Sequence, residues 1–206
     1  MNYRVFKLLL IIVCLTVQTS LNAQNQLSNK VGITFSSLGD SDIFGGINSV
    51  DFNYKGTGFY TVGINYIRGL NKWLELETGL EYSRHSIRVT PDIYPGMEVF
   101  MRTEKVGLGL LNVPATLRAN FLKYFFINGG LLLDLDVSDN IYIENQTGIG
   151  GIAGLGVNYD FDFGLSVFLN PYIKAHSWIY VGERQKILEK GFRLGVTYDI
   201  RRIIKK

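Results

Sequence analysis

The sequence is poor in the residues that cross-link a chain, bind metals or give it a high net charge. It contains one cysteine, two histidines and four prolines in 206 residues. A single cysteine excludes a disulfide scaffold, and 19% charged beside 47% hydrophobic residues excludes a disordered chain. The formal net charge of +3 does not indicate nucleic-acid binding, because no basic cluster precedes the last six residues. The composition predicts a packed or membrane-embedded domain.

The first 23 residues have the pattern of a secretory signal peptide. Arg4 and Lys7 precede an apolar run over 8–17, and polar residues follow the run. The run is about half the ~20 residues that a helix needs to cross a membrane, so a retained anchor is the weaker interpretation. We expect cleavage after residue 23. Cleavage removes Cys14 and leaves a mature chain without cysteine.

Beyond residue 23, the dominant pattern is an alternation of apolar and polar residues. No further apolar run reaches the ~18 residues of a transmembrane helix. The period is two, which is that of a strand, and in 74–83 it places Glu75, Glu77 and Glu81 on one face. Eight such segments are predicted strands: 30–36, 60–66, 74–83, 112–119, 127–136, 153–160, 165–174 and 192–201.

The two faces of these strands distinguish a membrane barrel from a soluble one. One face is almost purely apolar, and the other carries charges of both signs. In an outer-membrane barrel the apolar face meets lipid and the polar face lines the lumen, whereas a lipocalin-like carrier encloses its apolar face. We therefore predict an all-β protein, an eight-stranded antiparallel up-and-down transmembrane β-barrel over 24–206. A soluble lipocalin-like lipid-binding barrel is the second alternative.

The predicted connections alternate in length, as in outer-membrane barrels. The long ones fall at 38–57, 87–103, 137–148 and 176–190, and the short ones at 69–72, 120–123 and 160–162. If the mature chain starts in the periplasm, the long connections all lie outside the cell. Aromatic residues at strand ends predict two girdles at the membrane boundaries. The outer girdle would contain Phe59, Tyr60, Tyr82, Trp178 and Phe192.

One strand departs from the pattern. Pro114 lies inside the fourth strand, where its missing N–H predicts a bulge. Upstream, Val106, Leu108 and Leu110 occupy positions that the alternation assigns to the polar face. A one-residue slip near Leu110 and Leu111 would restore the alternation.

Three segments carry a resemblance to a known family: the end of the signal at Asn22-Ala23-Gln24, the segment Leu111–Arg118 and the glycine-rich segment Gly150–Tyr159. In order and spacing they resemble small outer-membrane β-barrel proteins of the PorT-like and OmpA/OmpX-like kind. The resemblance covers the mature chain and implies an integral outer-membrane location. Some PorT-like members are associated with protein secretion. The expected partners are outer-membrane lipid, the barrel-assembly machinery and an envelope or extracellular protein at the loops.

The two histidines, His85 and His176, are the candidate reactive groups. Some outer-membrane barrels are lipid-modifying hydrolases or acyltransferases that use a histidine with a serine. Each histidine is followed by a serine, and Glu81 or Glu183 could orient the base. Adjacent strand residues point to opposite faces, however, so neither pair forms a dyad by itself. We expect exposed histidines at the outer rim, and the enzyme remains an alternative.

The glutamate row is expected to pair with basic residues in the lumen, because an unpaired buried charge is costly. The candidate partners are Arg118, Lys174 and Arg193. An eight-stranded lumen is filled by side chains, so a diffusive pore is not expected. The sequence assigns no catalytic, cofactor-binding or metal-ligating residue. It favours a non-enzymatic outer-membrane protein whose outer loops act in binding, adhesion or an envelope complex.

Overall fold

The computed structural model describes residues 27–44, 52–91, 103–138, 143–179 and 185–201. The predicted signal peptide lies outside these residues. No helix in the described ranges is long and apolar enough to cross a membrane.

Eight antiparallel strands form one closed barrel in chain order, and β1 pairs with β8 to complete the ring. This confirms the predicted fold class. The strands are β1 (Asn29–Phe44), β2 (Phe52–Gly69), β3 (Leu74–Pro91), β4 (Glu104–Phe121), β5 (Phe125–Asp136), β6 (Gly148–Asp160), β7 (Leu165–Ile179) and β8 (Lys186–Asp199).

The outer wall is apolar on every strand, and the lumen is polar over most of its height. Exposed outward residues, one from each strand in order, are Ile33, Ile64, Leu80, Leu117, Leu131, Leu155, Ile173 and Leu194. A continuous apolar wall of this kind requires lipid around it. The wall also contradicts the soluble lipocalin-like alternative, which needs the apolar face inside.

Short and long connections alternate, as predicted, and they define the two ends of the barrel. The turns at 70–73, 122–124 and 161–164 mark the short-turn end, where the first and last strands also begin and finish. The segments 45–51, 92–103, 137–147 and 180–185 mark the long-connection end. The predicted long connections at 38–57 and 87–103 were too wide, because β1, β2 and β3 continue well into them. The prediction of a connection over 176–190 was wrong for the same reason.

The strands β2, β3 and β4 have 18 residues each, while a membrane-crossing strand needs only ~9–11. On β3, the outward residues change from leucine and tyrosine to Arg84 and Arg88. Over the same stretch the inward residues change from glutamate to Ile87 and Val89. A strand that leaves lipid for water must exchange its apolar and polar faces in this way. The part of the barrel next to the long-connection end, which we call the upper part, therefore has the apolar interior of a soluble barrel.

This exchange explains why the predicted slip on β4 is wrong. Leu110 pairs with Ser83 on β3 and with Asp136 on β5, and the register continues unshifted past Pro114. Leu108 and Leu110 face inward because this part of β4 lies above the apolar wall. They belong to a buried cluster that we call the apolar cap: Ile87, Val89, Leu108, Leu110, Ile143 and Ile187.

The predicted bulge at Pro114 is also absent. The ladder between β3 and β4 has a gap between the pairs Glu81↔Asn112 and Thr78↔Ala115, but both pairs have the same register. The missing N–H of Pro114 thus interrupts pairing without inserting a residue. The Thr78 hydroxyl donates a 2.9 Å hydrogen bond to the Pro114 carbonyl across this gap.

Two lumenal glycines make room for a layer of aromatic rings near the short-turn end. Phe126 and Phe168 are buried edge to face, with centroids 6.1 Å apart, and the Arg118 guanidinium lies 3.6 Å from the Phe126 centroid. A Cβ at Gly156 would lie 2.3 Å from the Phe126 ring, and one at Gly195 would lie 2.1 Å from the Phe168 ring. With the two rings in these positions, a side chain at Gly156 or Gly195 would force the neighbouring ring to move.

The aromatic residues at the short-turn end lie on the outer surface, as the girdle prediction requires. Trp73, Tyr159 and Phe163 are exposed, and Tyr159 packs edge to face on Phe161. The assignment of Phe59 to the other girdle was wrong. Its side chain is buried in the lumen, because it shares the inward parity of Thr61.

Candidate functional site in the lumen

Buried ion pairs fill the middle of the lumen. The Lys174 ammonium on β7 lies 2.7 Å from a carboxylate oxygen of Glu81 on β3. The Arg193 guanidinium on β8 lies 3.1 Å from Glu77 and 3.4 Å from Glu81. The predicted pairing of the glutamate row with Lys174 and Arg193 is confirmed. Alternation along β3 places the glutamates on one face, and closure of the ring brings β7 and β8 opposite them.

The third predicted basic partner lies nearer the short-turn end. Arg118 Nε on β4 is 3.5 Å from Glu75 Oε2. Beyond this pair the lumen opens into a polar cavity of about 580 Å³, where Lys30 Nζ lies 2.6 Å from Asp160 Oδ1. The short-turn end thus contains an open polar cavity, and the middle of the barrel is packed.

The two histidines lie inside the barrel, so the prediction of exposed rim residues was wrong. His85 on β3 and His176 on β7 are both fully buried, and their rings meet edge to face with centroids 5.6 Å apart. The alternation within each strand already indicated that both histidines face the lumen. His85 has the inward parity of Glu81, and His176 has that of Lys174.

Two carboxylates that the sequence analysis did not connect to the histidines complete this layer. Glu189 Oε2 lies 3.3 Å from His85 Nε2 and 3.5 Å from His176 Nε2. Asp134 Oδ1 lies 3.1 Å from His176 Nδ1. Glu189 was missed because it fell within a predicted connection, although it shares the inward parity of Arg193. We refer to His85, His176, Glu189 and Asp134 as the histidine layer.

The serines beside the histidines do not form a dyad with them. Ser86 faces outward and is exposed, as alternation requires. Ser177 is buried next to His176 because its φ of 51° breaks the alternation. Its hydroxyl donates to the Gln146 carbonyl instead of an imidazole. Glu183, the other suggested orienting residue, lies outside the described residues.

The histidine layer is closed on both sides. The next inward residue after His85 on β3 is Ile87, and Ile187 precedes Glu189 on β8, so the apolar cap lies directly above. Phe59 stacks on the His85 ring with centroids 5.7 Å apart. Below lie Lys174 and the other ion pairs. The layer can hold protons or a cation, but it is not open to lipid.

The histidine layer also contains the only candidate metal ligands found among the described residues. His85, His176 and Glu189 each offer one ligand atom, and these atoms lie within 4.8 Å of one another. Imidazole and carboxylate together are a ligand set for a transition-metal ion.

Comparison with known proteins gives structural likeness without a family. No protein-family model matches the sequence, and no curated protein matches it. The outer membrane protein OprG from Pseudomonas aeruginosa is similar at 11% identity and a TM-score of 0.47, over 84% of this chain and 95% of that chain. The translocator domain of the autotransporter NalP from Neisseria meningitidis is similar at 10% identity and a TM-score of 0.37, over 95% and 96%. The NanC porin is similar at 10% identity and a TM-score of 0.27, over 84% and 99%. The assignment to the outer-membrane type of barrel rests on the closed register and the two faces described above.

Proposed function

We propose that this chain is an integral outer-membrane protein whose barrel is a closed, non-conducting and non-enzymatic anchor. The observation that carries the proposal is the filled lumen. Lys174, Arg193, Glu81 and both histidines are buried, and the apolar cap lies over them. A water-filled channel needs a continuous polar path, and eight strands leave an interior only wide enough for side chains.

A row of basic residues on the outer wall supports the proposed location. Lys55, Arg88 and Lys105 are exposed cross-strand neighbours on β2, β3 and β4. Like charges placed side by side repel, so such a row favours an environment rich in anions. It lies just above the point where β3 leaves the apolar wall. Phosphate-bearing lipid headgroups at the outer surface would lie at this level.

We assign the binding role to the long-connection end. The 18-residue strands β2, β3 and β4 continue as paired strands beyond the apolar wall, so the connections start from the ordered sheet and not from the membrane surface. A protein partner in the envelope or outside the cell fits this arrangement. The resemblance to PorT-like barrels makes a secretion-related envelope complex the specific form of the proposal.

The geometry disfavours the lipid-modifying enzyme. A hydrolase or acyltransferase needs its base and nucleophile within reach of the lipid. His85 and His176 lie in the closed lumen, and the Ser177 hydroxyl is bonded to the backbone of Gln146.

Single-cysteine labelling tests the location and orientation, because the mature chain without residues 1–23 has no native thiol. Thr103→Cys places an exposed thiol at the long-connection end, and Lys72→Cys places a matched exposed thiol in a short turn. On intact cells, a membrane-impermeant maleimide should label position 103 and should reach position 72 only after the outer membrane is permeabilised. The reverse pattern, or recovery in the soluble periplasmic fraction, would refute the proposed orientation or location.

Two further measurements test the closed lumen and the binding role. The purified protein in a planar lipid bilayer should show no stepwise conductance, and defined channel steps would refute the closed lumen. A thiol-directed crosslinker at position 103 should capture the same envelope or surface protein in repeated experiments. If capture occurs at position 72 and not at position 103, the assignment to the long-connection end is wrong.

A further inference from the structure

Three polar atoms in the histidine layer converge without forming hydrogen bonds. Nε2 of His85, Nε2 of His176 and Oε2 of Glu189 are buried and have no hydrogen-bond partner among the described residues. Buried polar groups in folded proteins are almost always satisfied. Three such atoms facing one another mark a place where a bound group is expected.

We propose that these three atoms bind one divalent transition-metal ion inside the barrel. A tetrahedral Zn²⁺ with bonds of about 2.0–2.1 Å holds its ligand atoms about 3.3–3.4 Å apart. The distances from Glu189 Oε2 to the two imidazole nitrogens are 3.3 Å and 3.5 Å. Two of the three ligand pairs therefore already have the spacing of a metal site.

The groups around two of the three ligands, His176 and Glu189, orient them as in known metal sites. His176 turns its Nδ1 to Asp134, which leaves Nε2 to face Glu189. A carboxylate behind a histidine fixes the tautomer and strengthens the ligand. The other oxygen of Glu189 accepts a hydrogen bond from the Tyr172 hydroxyl and lies 3.8 Å from Lys174 Nζ. This arrangement leaves Oε2 free for the ion.

The charge of the connected ion network also favours a dication. The network contains four carboxylates, which are Asp134, Glu189, Glu81 and Glu77. Among the described residues, only two permanently charged basic side chains form ion pairs with these carboxylates, namely Lys174 and Arg193. With neutral histidines the formal charge is −2, and one divalent ion would neutralise it. Uncompensated charge in a closed interior is costly.

The ligand types define the class of ion. Two imidazoles and one carboxylate suit Zn²⁺, Fe²⁺, Co²⁺ or Ni²⁺, whereas Ca²⁺ and Mg²⁺ prefer all-oxygen sites. The layer is closed by the apolar cap above and the ion pairs below, so we expect the ion to be bound as the barrel folds. The proposal goes beyond the anchoring role and does not depend on it.

The test uses the untagged mature chain, because a polyhistidine tag would itself bind metal. The protein is unfolded in denaturant with chelator, freed of both, and refolded in detergent with Zn²⁺ alone. Zinc per chain is then determined by mass spectrometry after desalting. Heat-modifiable gel mobility reports the folded barrel in every sample. We expect one zinc ion per folded chain.

Four variants separate this site from adventitious binding. Glu189→Gln and His85→Gln should lose the ion. Asp134→Asn should bind it roughly 10–100-fold more weakly, because Asp134 supports the ligand His176 but is not itself a ligand. The control Glu75→Gln removes a lumenal carboxylate from the pair with Arg118 and should retain full binding.

Co²⁺ in place of Zn²⁺ gives an independent readout on the wild-type protein. A bound ion with imidazole ligands should give an absorption spectrum distinct from that of aqueous Co²⁺, and Zn²⁺ should remove this spectrum. A folded wild-type barrel that retains no zinc and gives no such spectrum would overturn the proposal. Full binding by folded Glu189→Gln would do the same. If neither ligand variant folds, the wild-type zinc content and Co²⁺ spectrum decide the question.

Discussion

Removal of the Lys174 ammonium should destabilise the barrel strongly, and simultaneous removal of Glu81 should restore much of the loss. The two groups are 2.7 Å apart and fully buried in the described structure. In Lys174→Met, Glu81 keeps only the longer contact of 3.4 Å to Arg193. Breaking a buried pair by removing one partner costs about 3–5 kcal/mol, because the other charge stays uncompensated. Replacing both partners with apolar residues is often close to neutral.

The measurement is a double-mutant cycle of Lys174→Met, Glu81→Met and the double variant, each folded into phospholipid vesicles. Denaturant unfolding is followed by the fluorescence of Trp73 and Trp178, and the free energy of unfolding comes from linear extrapolation. We expect the double variant to lie within about 2 kcal/mol of the wild type.

An exposed ion pair provides the matched control for this cycle. Lys190 Nζ lies 3.5 Å from Asp42 Oδ2, with both side chains about half exposed. Lys190→Met should cost only about 0–1 kcal/mol. If Lys174→Met costs no more than Lys190→Met, or if the losses at 174 and 81 simply add, the lumenal pair is not coupled as we have reasoned.

Three further predictions concern other parts of the barrel. Gly195→Ala should hinder folding, because its Cβ would lie 2.1 Å from the Phe168 ring. The second substitution Phe168→Leu should restore folding, measured as heat-modifiable gel mobility. If it does not, the steric explanation is wrong. Leu110→Ala should lower the free energy of unfolding by about 2–5 kcal/mol, since it opens a cavity in the apolar cap, whereas the lipid-facing Leu131→Ala should cost less in the same vesicle assay. Equal losses would argue against a packed cap. Arg88→Glu should stabilise the barrel in zwitterionic detergent by about 0.2–1 kcal/mol, because it relieves repulsion from its two basic neighbours. In anionic vesicles, Arg88→Glu should lower the free energy of unfolding relative to its effect in zwitterionic detergent. An equal change in the free energy of unfolding in both media would argue against headgroup binding.

The fold could be predicted from the sequence because each strand alternates apolar residues, which face lipid, with polar residues, which face the lumen. Glu75, Glu77 and Glu81 alternate with leucine and threonine over a full membrane-crossing length, and no helix places them on one face. The pairing with Lys174 and Arg193 followed from the cost of leaving buried charges alone. These predictions needed only the parity of residues within each strand.

The long-connection end could not be predicted with the same rule, because the rule assumes one solvent along the whole strand. At Arg84 the surroundings of β3 change from lipid to water, and both faces change with them. The predicted register slip is wrong because Leu108 and Leu110 form part of the interior of the barrel above the membrane. A change of outward residues from leucine to arginine, with aliphatic residues on the other face, would have indicated the boundary.

The histidine layer was missed for a different physical reason. His85, His176 and Glu189 lie on β3, β7 and β8, so His85 meets the other two across the lumen and not along a ladder. Contacts across a barrel depend on the stagger of the whole ring. Parity in the sequence gives the face of a residue, but it does not give its height relative to a strand on the opposite wall.

Buried negative charge is hardest to compensate in the histidine layer, because of where the layer lies in the barrel. Below it, carboxylates meet Lys174 and Arg193, and above it the aliphatic side chains of the apolar cap carry no charge that could pair with a carboxylate. Stability alone would favour aliphatic residues at such a boundary, since an apolar replacement for buried polar groups is often neutral or stabilising. The chain instead places two imidazoles and Glu189 there, with Asp134 behind His176. A bound dication satisfies all three converging atoms and the excess negative charge together, whereas hydrogen bonding within the layer leaves those atoms without partners.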